Sequence, residues 1–230
     1  MEKLTYAEEK KEKAFLSASL QRRSFLKYAG AGAASIALLA AGCDKDDEIN
    51  GVYFGTGDIA ILNYAYALEQ LEAAFYTQVV ATQYASITAM ETSYLTDIRD
   101  HEIAHREFFK AALGVNAIAA LEVNFSSINF NSRDSVLATA KAFEDLGVSA
   151  YNGAGFLIQN PEYLTLAGKI VSVEARHAAL IRDLISNGTF VGTDVLDGYA
   201  MEKSRSPSEV LAIAGAYIKT AINVEGLPTY

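Results

Sequence analysis

From about residue 57 onward, apolar residues recur every three or four positions, the period of helices that turn one face to a core. Leu62, Ala65, Tyr66, Glu69, Glu72, Ala73 and Tyr76 share one such face and predict a first helix over residues 58–84, with Asp58 placed to cap it. A second helix is predicted over 88–113, closed by Gly114. Residues 115–132 carry Asn and Ser clusters and read as a long connection that crosses over the bundle. The third helix starts at Ser132 and reaches about 157, and Asn160-Pro161 separates it from a fourth over 162–187 that stops at Asn187-Gly188. Ser206-Pro207-Ser208-Glu209 opens a short last helix to about 222, with Pro207 tolerated in its first turn. The expected fold is all-α, a four-helix bundle with a crossover connection and a short C-terminal helix.

Four acidic residues break the apolar pattern from inside. Glu69, Glu102, Glu144 and Glu174 lie among Ala, Leu, Ile, Val and Phe on core-directed faces, and a buried carboxylate is costly unless it is paired or metal-bound. Two of them begin Glu102-Ile-Ala-His105 and Glu174-Ala-Arg-His177. Residues three apart share a helix face, so each Glu and His can grip one ion together. A lone Glu-x-x-His is most often a surface pair. Here the chain has only three histidines, and two of them carry a Glu at this spacing. The pattern also repeats after about 75 residues. Glu69 precedes Tyr76 by the same interval that separates Glu144 from Tyr151, and a Glu-x-x-His helix follows each pair. Two helical hairpins related by a pseudo-twofold would bring the half-sites face to face. The expected metal ligands are Glu69, Glu102, His105, Glu144, Glu174 and His177, with Glu102 and Glu174 as bridges.

Around this set several residues have two readings. Glu72, one turn after Glu69, is an extra ligand, a carboxylate on the access path or a partner for an arginine. Tyr76 and Tyr151 are hydrogen-bonding or radical-capable phenols beside the centre, or large core residues whose hydroxyls need partners. His101 is a surface residue or an outer partner of the site. Arg99, Arg106, Arg176 and Arg182 are the nearest alternative cations, and their helical positions place them mostly on outward faces. Carboxylate and imidazole without thiolate suit two iron or manganese ions better than structural zinc or an iron–sulfur cluster.

Composition adds limits. A net charge of −9 argues against nucleic acid as a partner. Residues 1–43 read as a targeting segment. Gln21-Arg-Arg-Ser-Phe-Leu-Lys27 resembles a twin-arginine export motif, with Gln21 where Ser or Thr is commoner. The apolar run from Ala29 to Ala41 is too short to read as a membrane-spanning helix. It ends at Ala40-Ala-Gly-Cys43, which resembles a lipoprotein cleavage site with Cys43 as the lipidated residue. Cys43 is the only cysteine, so no intramolecular disulfide forms. Residues 44–56 read as a flexible acidic tether and 57–230 as the helical domain, which places the protein at the cell envelope, anchored to a membrane by lipid. The apolar face from Val210 to Ile218 caps the bundle or builds a homodimer interface.

The segments Leu68-Glu-Gln-Leu-Glu-Ala-Ala-Phe-Tyr76, His101-Glu-Ile-Ala-His105, Ala142-Phe-Glu-Asp-Leu-Gly-Val-Ser-Ala-Tyr151 and Val173-Glu-Ala-Arg-His177 resemble the ferritin-like superfamily, in particular the ferritin-like family that includes the desiccation-related proteins. The likeness covers about 55–222 and leaves no ligand position of the pattern missing. It implies a dimetal protein acting on oxygen, peroxide or ferrous iron, of ferroxidase, peroxidase or catalase type. The alternative is a non-enzymatic metal-binding or stress-protective envelope protein. An iron-storage cage is a weaker reading, because a lipid tether on every subunit sits awkwardly on a closed shell.

Overall fold

The computed structural model describes residues 51–230. The expected targeting segment, Cys43 and most of the expected tether lie outside the described residues. Four long helices form the bundle: α1 (Gly57–Ala81), α2 (Ala89–Leu113), α3 (Arg133–Gly155) and α4 (Pro161–Ile185). A short α5 (Pro207–Ala214) follows, and strands β1 (Val52–Tyr53) and β2 (Ile222–Asn223) pair in parallel. α1 packs along α2 and α3 along α4, so the chain is two helical hairpins joined by the crossover. Among the described residues no helix is long and apolar enough to cross a membrane.

Local chemistry sets most helix starts. Thr88 and Glu91 form a reciprocal capping box at α2, and Ser206 and Glu209 do the same at α5. Asn160 accepts from the Glu162 amide at the start of α4, with Pro161 in the first turn. Asp58 behaves differently from the sequence expectation. Its carboxylate accepts the backbone N–H groups of Gln159 at 2.9 Å and Asn160 at 2.8 Å, tying the start of α1 to the turn before α4.

α1 is the central helix, buried nearly all round from Ala60 to Ala73. Two buried amides on it hold the crossover. Asn63 donates to Phe54 O and Asn116 O and accepts from Ile118 N, and Gln70 accepts from Leu121 N at 2.8 Å. These bonds satisfy backbone groups that a covered loop would otherwise leave unpaired. Phe75 then meets Phe125 and Phe130 of the crossover and Phe143 of α3 edge to face or tilted.

Three other expectations need correction. The ordered domain begins before residue 57, because Val52–Tyr53 pairs with Ile222–Asn223 and Phe54 is fully buried. The last helix stops at Ala214 instead of about 222, and a single 3-10 turn, Gly215–Tyr217, follows. Beyond it the backbone bonds to the crossover in place of its own preceding turn: Asn124 N donates to Tyr217 O at 2.8 Å and Lys219 N to Glu122 O at 2.7 Å. Val210 and Ala214 are buried where α5 packs on α3.

The third correction is Arg182, which faces inward. It is 5% exposed, with Nε and Nη2 on the two oxygens of Asp145 at 2.8 and 2.7 Å and further bonds to Asp194. Its partners come from α3 and from the loop after α4, so a reading of α4 alone could not find them. Losing the guanidinium would leave Asp145 with Lys141 Nζ, at 3.6 Å, as its remaining cationic partner. The same loop closes onto α3 at Arg205, whose N–H donates to Ser149 O at 3.0 Å. Gly153 permits this approach, since a Cβ there would lie 1.8 Å from Arg205 O.

Candidate metal centre

The hairpins bring the six expected ligands together at mid-bundle. Glu69, Glu102, Glu144 and Glu174 are all 0% exposed, one from each long helix. His105 Nδ1 lies 2.9 Å from Glu174 Oε1, 3.5 Å from Glu69 Oε2 and 3.8 Å from Glu102 Oε2. His177 Nδ1 repeats this arrangement at 2.9 Å from Glu102 Oε1, 3.5 Å from Glu144 Oε2 and 3.7 Å from Glu174 Oε2. Each imidazole therefore sits nearest the Glu of the opposite Glu-x-x-His, next the outer Glu, and farthest from its own helical partner. The matched distances are the pseudo-twofold of the repeat expressed in side chains.

Two groups of ligand atoms result. Glu69, Glu102, His105 and Glu174 form one, and Glu102, Glu144, Glu174 and His177 the other, each with its atoms within 4.8 Å of one another. Glu102 and Glu174 belong to both, and each turns one oxygen toward each imidazole.

The arrangement fits cations. Of the buried atoms without a hydrogen-bond partner among the described residues, eight lie in this cluster: Glu69 Oε2, both oxygens of Glu102 and Glu174, Glu144 Oε2, and Nδ1 of His105 and His177. Some of them are 2.9 Å apart, yet none has the direction of a hydrogen bond. They face shared points instead of each other. Buried polar atoms are almost always paired, so a cluster of this kind could hold metal ions.

The tyrosines cross between hairpins. Tyr76 of α1 donates to Glu144 Oε1 of α3 at 2.5 Å, and Tyr151 of α3 donates to Glu69 Oε1 of α1. Each outer carboxylate thus has one oxygen held by a phenol and one turned to the centre. Burial, then the neighbouring carboxylates, pushes both phenols well above their ordinary range, so they remain protonated donors.

Burial and neighbouring charges shift these groups unevenly. Burial, then the negative charge of Glu174, raises Glu102 well above the usual carboxylate range, and burial also raises Glu144. Burial opposes the charge of Glu174, but contacts with both imidazoles outweigh it and hold this carboxyl low. Burial likewise pulls the imidazoles down, and the surrounding carboxylates overcome it, so His105 and His177 are each pushed up to about 12.

Glu72 also reaches this cluster. Burial, then Glu102, Glu174, Glu144 and Glu69, raises it well above its ordinary value. Its Oε1 is 3.2 Å from where a Cβ on Gly147 would stand. Gly147 follows Glu144 by the interval that separates Glu72 from Glu69, so the repeat carries an acid in one half and an empty place opposite it in the other. A mid-helix glycine costs about 1 kcal/mol relative to alanine, and here it gives room to the Glu72 carboxylate. The repeat held this signal, and the sequence reading missed it. His101 is the other residue whose role emerges only in three dimensions. Its Nδ1 lies 2.9 Å from His177 Nε2, and burial with the two neighbouring imidazoles holds it below the usual histidine range.

A comparison with curated proteins finds no match. A ferritin-like domain family model matches residues 57–187, a span that takes in all four long helices and includes all six clustered residues. With more than half of its length matched and its four-helix frame in place, the chain belongs to the ferritin-like domain family.

Proposed function

We propose that this protein is an exported, lipid-anchored member of its family that holds a dinuclear iron or manganese centre and reacts with oxygen, peroxide or ferrous iron. The observation that carries this reading is the convergence of eight buried, unpartnered ligand atoms into two groups that share Glu102 and Glu174. Iron or manganese bound there would supply reversible electron transfer to oxygen or peroxide. Glu69 and His105 would hold one ion and Glu144 and His177 the other, with Glu102 and Glu174 contributing to both groups. Tyr151 and Tyr76 fix the outer carboxylates so that one oxygen of each stays directed inward. Glu72 stands beside the cluster as a further carboxylate able to hold a proton or a ligand position. The apolar side chains of the four helices exclude bulk water from these charges. Export and anchoring at the cell envelope on a tether are supported by the resemblances at Arg22-Arg23 and at Cys43.

The complete burial of all four carboxylates favours one other reading, in which the metal serves only to stabilise the bundle. One pair of assays separates the two. Both readings expect the melting temperature to rise on loading, since a ligand at about 100 times its Kd adds about 2.7 kcal/mol. Metal-dependent loss of hydrogen peroxide or oxidation of ferrous iron by the loaded chain supports the redox reading. A raised melting temperature with no turnover leaves the stabilising role.

A further inference from the structure

The two histidines of the cluster are not equivalent on their outer sides. His177 turns Nδ1 to the carboxylates and Nε2 outward, where it lies 2.9 Å from Nδ1 of His101. The two rings are 12° from parallel with centroids 5.1 Å apart. At that separation the close nitrogens lie between the ring centres, as in an in-plane hydrogen bond, not a face-to-face stack. Among the described residues no hydrogen bond reaches the outer nitrogen of His105. The repeat gives the same asymmetry. His101 directly precedes Glu102, and the residue in that place before Glu174 is Val173, which offers no acceptor.

An imidazole that donates its Nδ1 lone pair to a cation must carry its hydrogen on Nε2. That hydrogen needs an acceptor, and the acceptor fixes both the tautomer and the ring direction. We infer that His101 is a positioning residue: its Nδ1 accepts the Nε2 hydrogen of His177, holds His177 with Nδ1 open to a cation, and makes the two halves of the centre bind metal unequally. The inference rests on the metal-centre reading. His101 keeps its own hydrogen on Nε2. Because residue 101 is exposed, its replacement leaves the core untouched.

The test is a cobalt(II) titration of the 230-residue chain, followed by visible absorption, with the exchange of the paramagnetically shifted imidazole N–H signals read by NMR. Three chains are compared. His101→Phe keeps a ring and removes the acceptor, and His101→Asn places an acceptor oxygen where Nδ1 stood. The expected result is that His101→Phe weakens one of two cobalt sites by about 10–100-fold and speeds exchange of one shifted N–H, while the other site is unchanged. His101→Asn restores both readouts. Identical titrations in all three chains overturn the inference and leave the metal centre standing. Equal weakening of both sites, or equal loss in both variants, also overturns it, since it reports packing and not an acceptor. A wild-type chain that takes up no cobalt overturns the metal-centre reading itself, and the inference with it.

Discussion

Replacing Glu102 by alanine is expected to leave a helical bundle that holds at most one metal ion and consumes peroxide no faster than free metal does. Glu102, like Glu174, belongs to both groups of ligand atoms and turns one oxygen toward each imidazole. Truncation removes a donor from each group at once, whereas the loss of Glu69 or Glu144 would remove a donor from one. The fold should survive, because the metal-free chain crowds four buried carboxylates and relieving that crowding offsets part of the cavity left behind. Circular dichroism reads the helicity, elemental analysis the metal and a peroxide assay the turnover. Wild-type metal content and wild-type turnover in this variant would remove Glu102 from the centre.

Metal uptake is expected to release at least two protons per chain and to weaken by about a hundredfold or more for each unit of pH lost. The sign follows from the metal-free state. The carboxylates hold His105 and His177 at about 12, so both are protonated throughout the physiological range. A cation needs the Nδ1 lone pair of each, and both protons must leave. Glu72, Glu102 and Glu144, all raised, add to the number released. Lower pH therefore favours the metal-free form. Calorimetric titrations in buffers of different ionisation enthalpy measure the proton count directly. Affinity independent of pH between about 6 and 8 would mean that the imidazoles do not bind the metal.

Much of this architecture could be read from the chain because it is local. The three- and four-residue apolar period places each long helix to within a few residues, and Glu-x-x-His works through neighbours on a single helix face. The repeat carried the reading from one helix to four, since Glu69 with Tyr76 and Glu144 with Tyr151 keep one spacing. What escaped depends on contacts between distant segments. Arg182 faces inward because Asp145 and Asp194 meet it from two other parts of the chain. The end of α5 yields to backbone bonds offered by Glu122 and Asn124. Asp58 serves the turn at Asn160 and not its own helix. The contact between His101 and His177 spans two helices that the sequence places side by side only after the hairpins have paired.

The most direct test of the central claim is the metal content of the 230-residue chain, purified without added metal from cells supplied with both iron and manganese. The dinuclear reading predicts about two iron or manganese atoms per chain. A well-folded helical chain that carries neither metal, and takes up neither on reconstitution, would contradict it.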